Sequence, residues 1–250
     1  MLMKIDQIKS CYIGPHISPE AFIEEHFFIY LLKGKMRGFD GHKSYTLSPG
    51  QYCIVRKNHL ARYNKQKEEG VFEKVVVIFD ETFLKTYQQK HGVKGMGYTS
   101  NDTFIHLNKT DLIPQLLLQQ VDDTTRERLL AILLAANPGL EHLLFDFGIP
   151  SKIDLEAYMN RNFRFNVAIQ RFAYLTGRSL TAFKQDFKRV FNETPGRWLL
   201  QKRLKEAYFL IDKEGHRPSD VYLEVGFEDL SHFSFAFKKF FGVPPTQLRK

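Results

Sequence analysis

Two short stretches of the chain repeat one arrangement of aromatic, basic and proline residues. Phe183, Phe187, Lys188, Arg189, Phe191 and Pro195 form F-x3-F-[KR]-[KR]-x-F-x3-P, and Phe233, Phe237, Lys238, Lys239, Phe241 and Pro245 form it again fifty residues later. Phenylalanines spaced by four share one face of a helix, so they are expected inside. Thr181, Lys184, Gln185 and Lys188 then point largely away from that face in the first copy, as do Ser231, His232, Phe235 and Lys238 in the second. Most of these side chains can donate hydrogen bonds to phosphate oxygens or base edges. The pairs Lys188-Arg189 and Lys238-Lys239 lie toward the helix ends and suit phosphates. Any one of these cations could equally be a solvated surface charge. The repeat is harder to assign to solvation, because chance rarely matches six positions in size and charge.

The elements that hold these residues follow from the punctuation around them. A glycine precedes each copy, Gly177 and Gly226, and each ends a helix-like stretch. A glycine turn before a short helix with apolar and basic faces is the sequence form of a helix-turn-helix. Helices are expected over 154–160 with an aspartate cap, 166–176 with Asn166 as cap, 180–191 with Ser179 as cap, 195–211, 219–225 and 230–240. In the longest, Trp198, Leu199, Leu204, Ala207, Tyr208 and Ile211 recur near a 3.6 period, and Gly215 ends it. Two such motifs joined by one long helix suit a protein that places two helices in successive major grooves of double-stranded DNA. Helix N-termini near Ser179 and Asp229–Ser231 could add backbone contacts to phosphate.

Charge points to the same partner. Residues 151–250 hold 18 Lys and Arg against 11 Asp and Glu, whereas residues 1–150 hold 18 against 17, so nearly all of the net +8 sits on the half with the repeat. A polyanionic partner for that half is implied. The two cysteines, Cys11 and Cys53, form no CxxC, which excludes a zinc finger or a disulfide framework and fits a reducing cytoplasm. The N-terminal MLMKIDQIKS lacks the apolar run of a signal peptide, and no stretch approaches the roughly 18 apolar residues of a membrane span.

The first half reads differently. EHFFIYLLKGKM, KSYTLSPGQYCIVRKN and GVFEKVVVIFD are rich in aromatic and β-branched residues, with turns at Lys33-Gly34, Asp40-Gly41 and Pro49-Gly50. Short strands at this spacing imply a small antiparallel barrel or sandwich. A short helix is expected over 82–90, then a glycine-containing loop. From Lys109 the period changes, giving three helices broken at Asp122-Asp123 and Asn137-Pro138. Leu129, Leu130, Leu133 and Leu134 form an apolar face that either packs on the strands or meets a second copy. Composition and charge shift at Gly148-Ile149-Pro150-Ser151, the best linker candidate.

The stretches YLTGRSLTAFKQDFKRVFNETPGRWLLQKRLKEA (174–207) and PSDVYLEVGFEDLSHFSFAFKKFFGVPPTQLR (218–249) resemble the paired helix-turn-helix domain of AraC-type bacterial transcription regulators. The run VGF, then SHF, then FKKFFGVPP is the most specific part. The resemblance is strong over about residues 151–250 and weak before them. It implies an α+β chain: an N-terminal cupin-like antiparallel β-barrel with helices over 1–148, serving effector binding and dimerisation, then an all-α domain of two helix-turn-helix lobes over 152–250. It maps base-reading positions onto Thr181, Lys184 and Gln185, and onto Ser231, His232 and Phe235. It implies a homodimer, a small-molecule or peptide effector in the barrel, and RNA polymerase as partner if the protein is an activator. Phe235 departs from the family, which often has arginine or another polar residue there. Phenylalanine cannot bond guanine, but it can meet a thymine methyl or pack on protein.

A cupin-like barrel raises the question of metal. His16, His26, His42, His59, His91 and His106 show no HxH or HExxH, and Glu24-Glu25-His26 is the densest cluster. No metal or other cofactor is expected. There is no GxSxG, Walker A or GxGxxG, so no catalytic residue is assigned. The expected function is a cytoplasmic, sequence-specific DNA-binding regulator that acts as an activator. Its rivals are a cupin-type metalloenzyme with a helical scaffold, and an effector-binding or protein-interaction module with incidental DNA affinity.

Overall fold

The structure, a computed structural model, describes residues 8–13, 21–94, 102–117 and 123–248. The chain divides into two compact units, Met1–Gly148 and Ile149–Lys250. Expectations that fell on His16, on Asp122 and on the glycines of 95–97 lie outside the described residues.

In the first unit ten strands are described: β1 (Ile8–Ile13), β2 (Phe22–Ile23), β3 (His26–Lys33), β4 (Lys35–Phe39), β5 (Ser44–Leu47), β6 (Tyr52–Val55), β7 (His59–Leu60), β8 (Arg62–Gln66), β9 (Phe72–Phe79) and β10 (Phe104–His106). They form three separate sheets rather than one closed barrel, in the orders β1-β9-β3-β6-β10, β5-β4-β8 and β2-β7. The run KSYTLSPGQYCIV splits at Pro49-Gly50 and sends β5 and β6 into different sheets. Pairing is antiparallel except that β1 runs parallel to β9, with Ile8 opposite Phe72.

Strands β3 and β9 read as near-continuous apolar runs because both faces of the five-stranded sheet are covered. On one face Phe27, Ile29, Leu31, Val76 and Ile78 pack with Met36 and Leu47 of the three-stranded sheet. On the other, Phe28, Tyr30, Val77 and Phe79 pack with helices α1 (Glu81–His91), α2 (Leu112–Leu117), α3 (Asp123–Ala136) and α4 (Leu140–Leu144). Leu129, Leu130 and Leu133 are fully buried there and half-buried Leu134 packs against the same cluster, so this apolar face belongs to the chain's own core. Two charged groups fasten the layers. Buried Arg126 donates from Nε to the Ile78 carbonyl (2.7 Å), pairs with Asp80 and lies over the Phe83 ring. Lys74 is buried on β9, its ammonium 5.2 Å from the Tyr63 ring centre, and burial draws its pKa down to about 8.

The second unit holds α5 (Leu155–Asn162), α6 (Ile169–Leu175), α7 (Leu180–Phe191), α8 (Pro195–Asp212), α9 (Pro218–Glu224), α10 (Leu230–Phe241) and a 3-10 turn at Pro245–Gln247. Asp154 caps α5, accepting from the Ala157 N–H (2.9 Å). Asn166 does not cap α6; Ala168 occupies that position, and Asn166 is drawn away to Glu228 (2.7 Å). The turns before α7 and α10 need glycine. Gly177 has φ 64°, and a Cβ there would sit 2.3 Å from the Ser151 carbonyl carbon. Gly226 has φ 98°, and its Cβ would lie 2.5 Å from the Arg164 carbonyl oxygen.

Candidate nucleic-acid interface

Helix α7 packs against α5, α6 and α8, and α10 packs against α8 and α9. Each begins with a side-chain cap: the Ala182 N–H donates to Ser179 Oγ (3.2 Å), and the His232 N–H to Asp229 Oδ1 (2.6 Å). Such caps satisfy N–H groups that a helix start leaves unpaired. Each ends on a left-handed residue, Asn192 for α7 and Gly242 for α10. The first two phenylalanines of each copy, Phe183 and Phe187, then Phe233 and Phe237, are fully buried. The third, Phe191 or Phe241, is half-buried.

That burial fixes what faces out. On α7, Thr181, Lys184, Gln185, Lys188 and Arg189 are all exposed. Arg189 is not wholly free: its Nη2 donates to Asp186 Oδ1 (2.7 Å). Asp186 also accepts from Arg178 Nε (3.0 Å) and faces Lys152 (3.5 Å), and the Arg178 bond leads in holding its carboxyl below the usual range. On α10, Ser231, His232, Phe235, Lys238 and Lys239 are exposed. The His232 ring leans edge-on to Phe227, 5.6 Å between centroids. Phe235 is 69% exposed and so does not pack into this unit. At about 100° per residue, Ser231, Phe235, Lys238 and Lys239 share one arc of α10, as Thr181, Lys184, Gln185 and Lys188 share one of α7. A twelve-residue helix is about 18 Å long, and its outward arc matches a major groove about 12 Å wide.

Sequence reasoning passed over Arg203, Arg164 and Glu228. Arg203 donates from Nε to the Phe163 carbonyl and from Nη2 to the Phe165 carbonyl, both at 2.8 Å. A signal was there: Arg203 lies four residues after Leu199 and four before Ala207, within the buried stripe of α8.

A cavity of about 10 Å³, lined by residues including Met36, Tyr45, Cys53 and Phe104, is the size of one water. Among the described residues no group of three His, Cys, Asp or Glu side chains comes together to hold a metal, and no helix is long and apolar enough to cross a membrane.

A helix-turn-helix domain model matches residues 172–250, and an ExsA N-terminal regulatory domain model matches residues 26–128. The virulence regulon transcriptional activator VirF of Yersinia enterocolitica is 29% identical, over 88% of this chain and 87% of its own. The thermoregulatory protein LcrF of Yersinia pestis is 22% identical, over 99% and 97%. Among solved structures, an apo form of a ToxT variant from Vibrio cholerae is similar at a TM-score of 0.41 and 14% identity, covering 91% of this chain and 89% of that one.

Proposed function

The chain belongs to the AraC-type helix-turn-helix regulators, and from that premise we propose that it is a sequence-specific DNA-binding transcription activator whose α7 and α10 enter successive major grooves. The observation that carries this is the pair of twelve-residue helices, each presenting an exposed polar and basic arc above buried phenylalanines. Thr181, Lys184 and Gln185 read bases in the first motif. Ser231, His232 and Phe235 face bases in the second, with Phe235 against a thymine methyl. Lys188, Arg189, Lys238 and Lys239 meet phosphates, so affinity falls steeply with salt.

In this reading residues 152–250 are the DNA-binding domain, two lobes joined by α8. Residues 1–148 are the regulatory domain, a cupin-like sandwich that dimerises the protein and takes a small-molecule or peptide effector. As an activator the protein engages RNA polymerase. Selection of bound sequences from a random duplex pool, with the full-length chain at moderate salt, tests the core of the proposal. Two enriched motifs about one helical turn apart are expected. One motif alone would reduce α10 to a positioning element, and no enrichment without added effector or with it would refute sequence-specific binding.

A further inference from the structure

Helix α8 is joined by a second connection between the pairs α6–α7 and α9–α10. Arg203, midway along α8, gathers the loop that precedes α6: besides its two bonds to the Phe163 and Phe165 carbonyls, its Nη1 reaches Asn166 Oδ1 (3.5 Å). Asn166 passes the connection on, donating from Nδ2 to Glu228 Oε1 (2.7 Å) in the segment between Gly226 and α10. Arg164 in the same loop pairs with Glu206 on α8 and lies 3.7 Å from Glu224 at the end of α9. The backbone itself makes close contact, because a Cβ on Gly226 would fall 2.5 Å from the Arg164 carbonyl oxygen and 3.1 Å from Arg203 Nε. Burial among these groups draws the Arg203 guanidinium down to about 10, well below its ordinary value.

We propose that this latch, Arg203 with Asn166–Glu228 and Arg164, fixes the separation and angle of α7 and α10 and so sets the spacing of half-sites the protein accepts. A link through one helix can hinge at its two ends. A second strut beside it removes that freedom. For two linked binding modules, the gain from the second contact depends on how well the linker holds it at the right span. The guanidinium fork suits this role because it donates along several directions from one rigid plane, which a lysine ammonium does not reproduce. Arg203 is a positioning residue and touches no DNA. The inference rests on the reading of α7 and α10 as readers of two half-sites.

The test uses the full-length chain and duplexes carrying both selected motifs at the selected spacing, the same motifs with one or two base pairs inserted or removed, and one motif alone. The wild type is expected to show a sharp optimum of spacing. Arg203→Ala is expected to lose about tenfold at the optimum, a modest part of the 10²–10⁴ that linkage can supply, while single-motif affinity stays within about twofold. Its discrimination between spacings should fall, and Arg203→Lys should lie between the two. Asn166→Ala, which removes no buried charge, should shift the spacing profile the same way with an unchanged melting curve. Equal losses at every spacing and on the single motif would mean a folding or phosphate role and overturn the latch. A spacing profile as sharp in the variants as in the wild type would overturn it too. A wild type indifferent to spacing would overturn the two-half-site reading itself.

Discussion

Trp198 stands over Phe191 with 4.6 Å between ring centroids and 48° between planes. The second copy has the same relation at the other end of α8, where Tyr208 meets Phe241 at 4.9 Å and 42°. The long helix therefore closes both repeats with one aromatic each, and the half-buried third phenylalanine of each copy is where it does so. Phe187 lies beneath, 4.4 Å from Phe191 and 5.6 Å from Trp198. Phe187→Ala should destabilise the second unit by about 3–5 kcal/mol, and Phe191→Ala by clearly less, since only full burial exacts the whole cavity cost. Trp198 is the single tryptophan of the chain, so its fluorescence in a urea titration reads this unit directly. Equal midpoints for the two variants would contradict the packing.

Three glycines separate backbone need from habit. Gly177→Ala and Gly226→Ala each place a side chain in left-handed backbone, about 1–2 kcal/mol unfavourable in itself, and drive it into backbone at 2.3 and 2.5 Å. Both should unfold more readily or fail to accumulate. Gly196, inside the first turn of α8, faces open space. Gly196→Ala should stabilise by about 0.5–1 kcal/mol, because alanine costs less entropy to fix in a helix. Thermal melts of Gly196→Ala and wild type, compared side by side, check the sign.

The helices of the second unit were legible because their signals are local. A serine or aspartate before an apolar period, a glycine after it, and phenylalanines four apart place α5, α7, α8, α9 and α10 to within a few residues. Asn166 misled for the opposite reason: its cap chemistry is local, but its partner, Glu228, lies 62 residues away. The outward arc of α7 and α10 was legible as the complement of the buried phenylalanines, yet whether Phe235 was inside or outside depended on tertiary packing, and it is outside. In the first unit, β8 (RYNKQ) carries no apolar alternation because it is an edge strand beside β4, and only pairing reveals it. The parallel pairing of β1 with β9 joins strands with no local signal between them. Leu129, Leu130 and Leu133 showed that a buried face exists without showing which surface covers it.

The two classes of exposed residue should separate in binding. Lys184→Ala and Gln185→Ala are expected to relax preference at particular base pairs, each costing roughly 1–3 kcal/mol on the preferred site. Lys238→Ala should weaken all sequences alike and lower the slope of log affinity against log salt by about 0.9. Phe235→Ala should leave the melting curve unchanged, since the ring makes no core contact, while reducing any preference for thymine in the second motif. Titrations of duplex variants at two salt concentrations resolve these outcomes. If Lys184→Ala and Gln185→Ala leave the preferred site unaltered, the outward arc of α7 is not the reading surface.

The first unit should weaken in mild acid. His26 is buried on β3, its Nδ1 accepts from the Lys57 N–H (3.2 Å), and its Nε2 has no hydrogen-bond partner among the described residues. The ring is therefore neutral with its proton on Nε2. Burial, then the nearby charges of Lys57 and Arg56 with His59, hold its pKa well below 6.5. His59 is shifted the same way, chiefly by burial. In the unfolded chain both imidazoles take up protons near pH 6.5, so the unfolded state binds more protons than the folded one below that value. Stability is complete above about pH 6.5 and is lost as pH falls toward the folded-state pKa, by up to about 1.4 kcal/mol per unit for each histidine. Amide exchange in β3 and β9, corrected for intrinsic rates, should show lower protection at pH 5 than at pH 7.5. His26→Asn, whose Oδ1 can still accept from Lys57, should flatten that difference. Protection that does not change with pH in the wild type would show that the buried ring carries no such penalty.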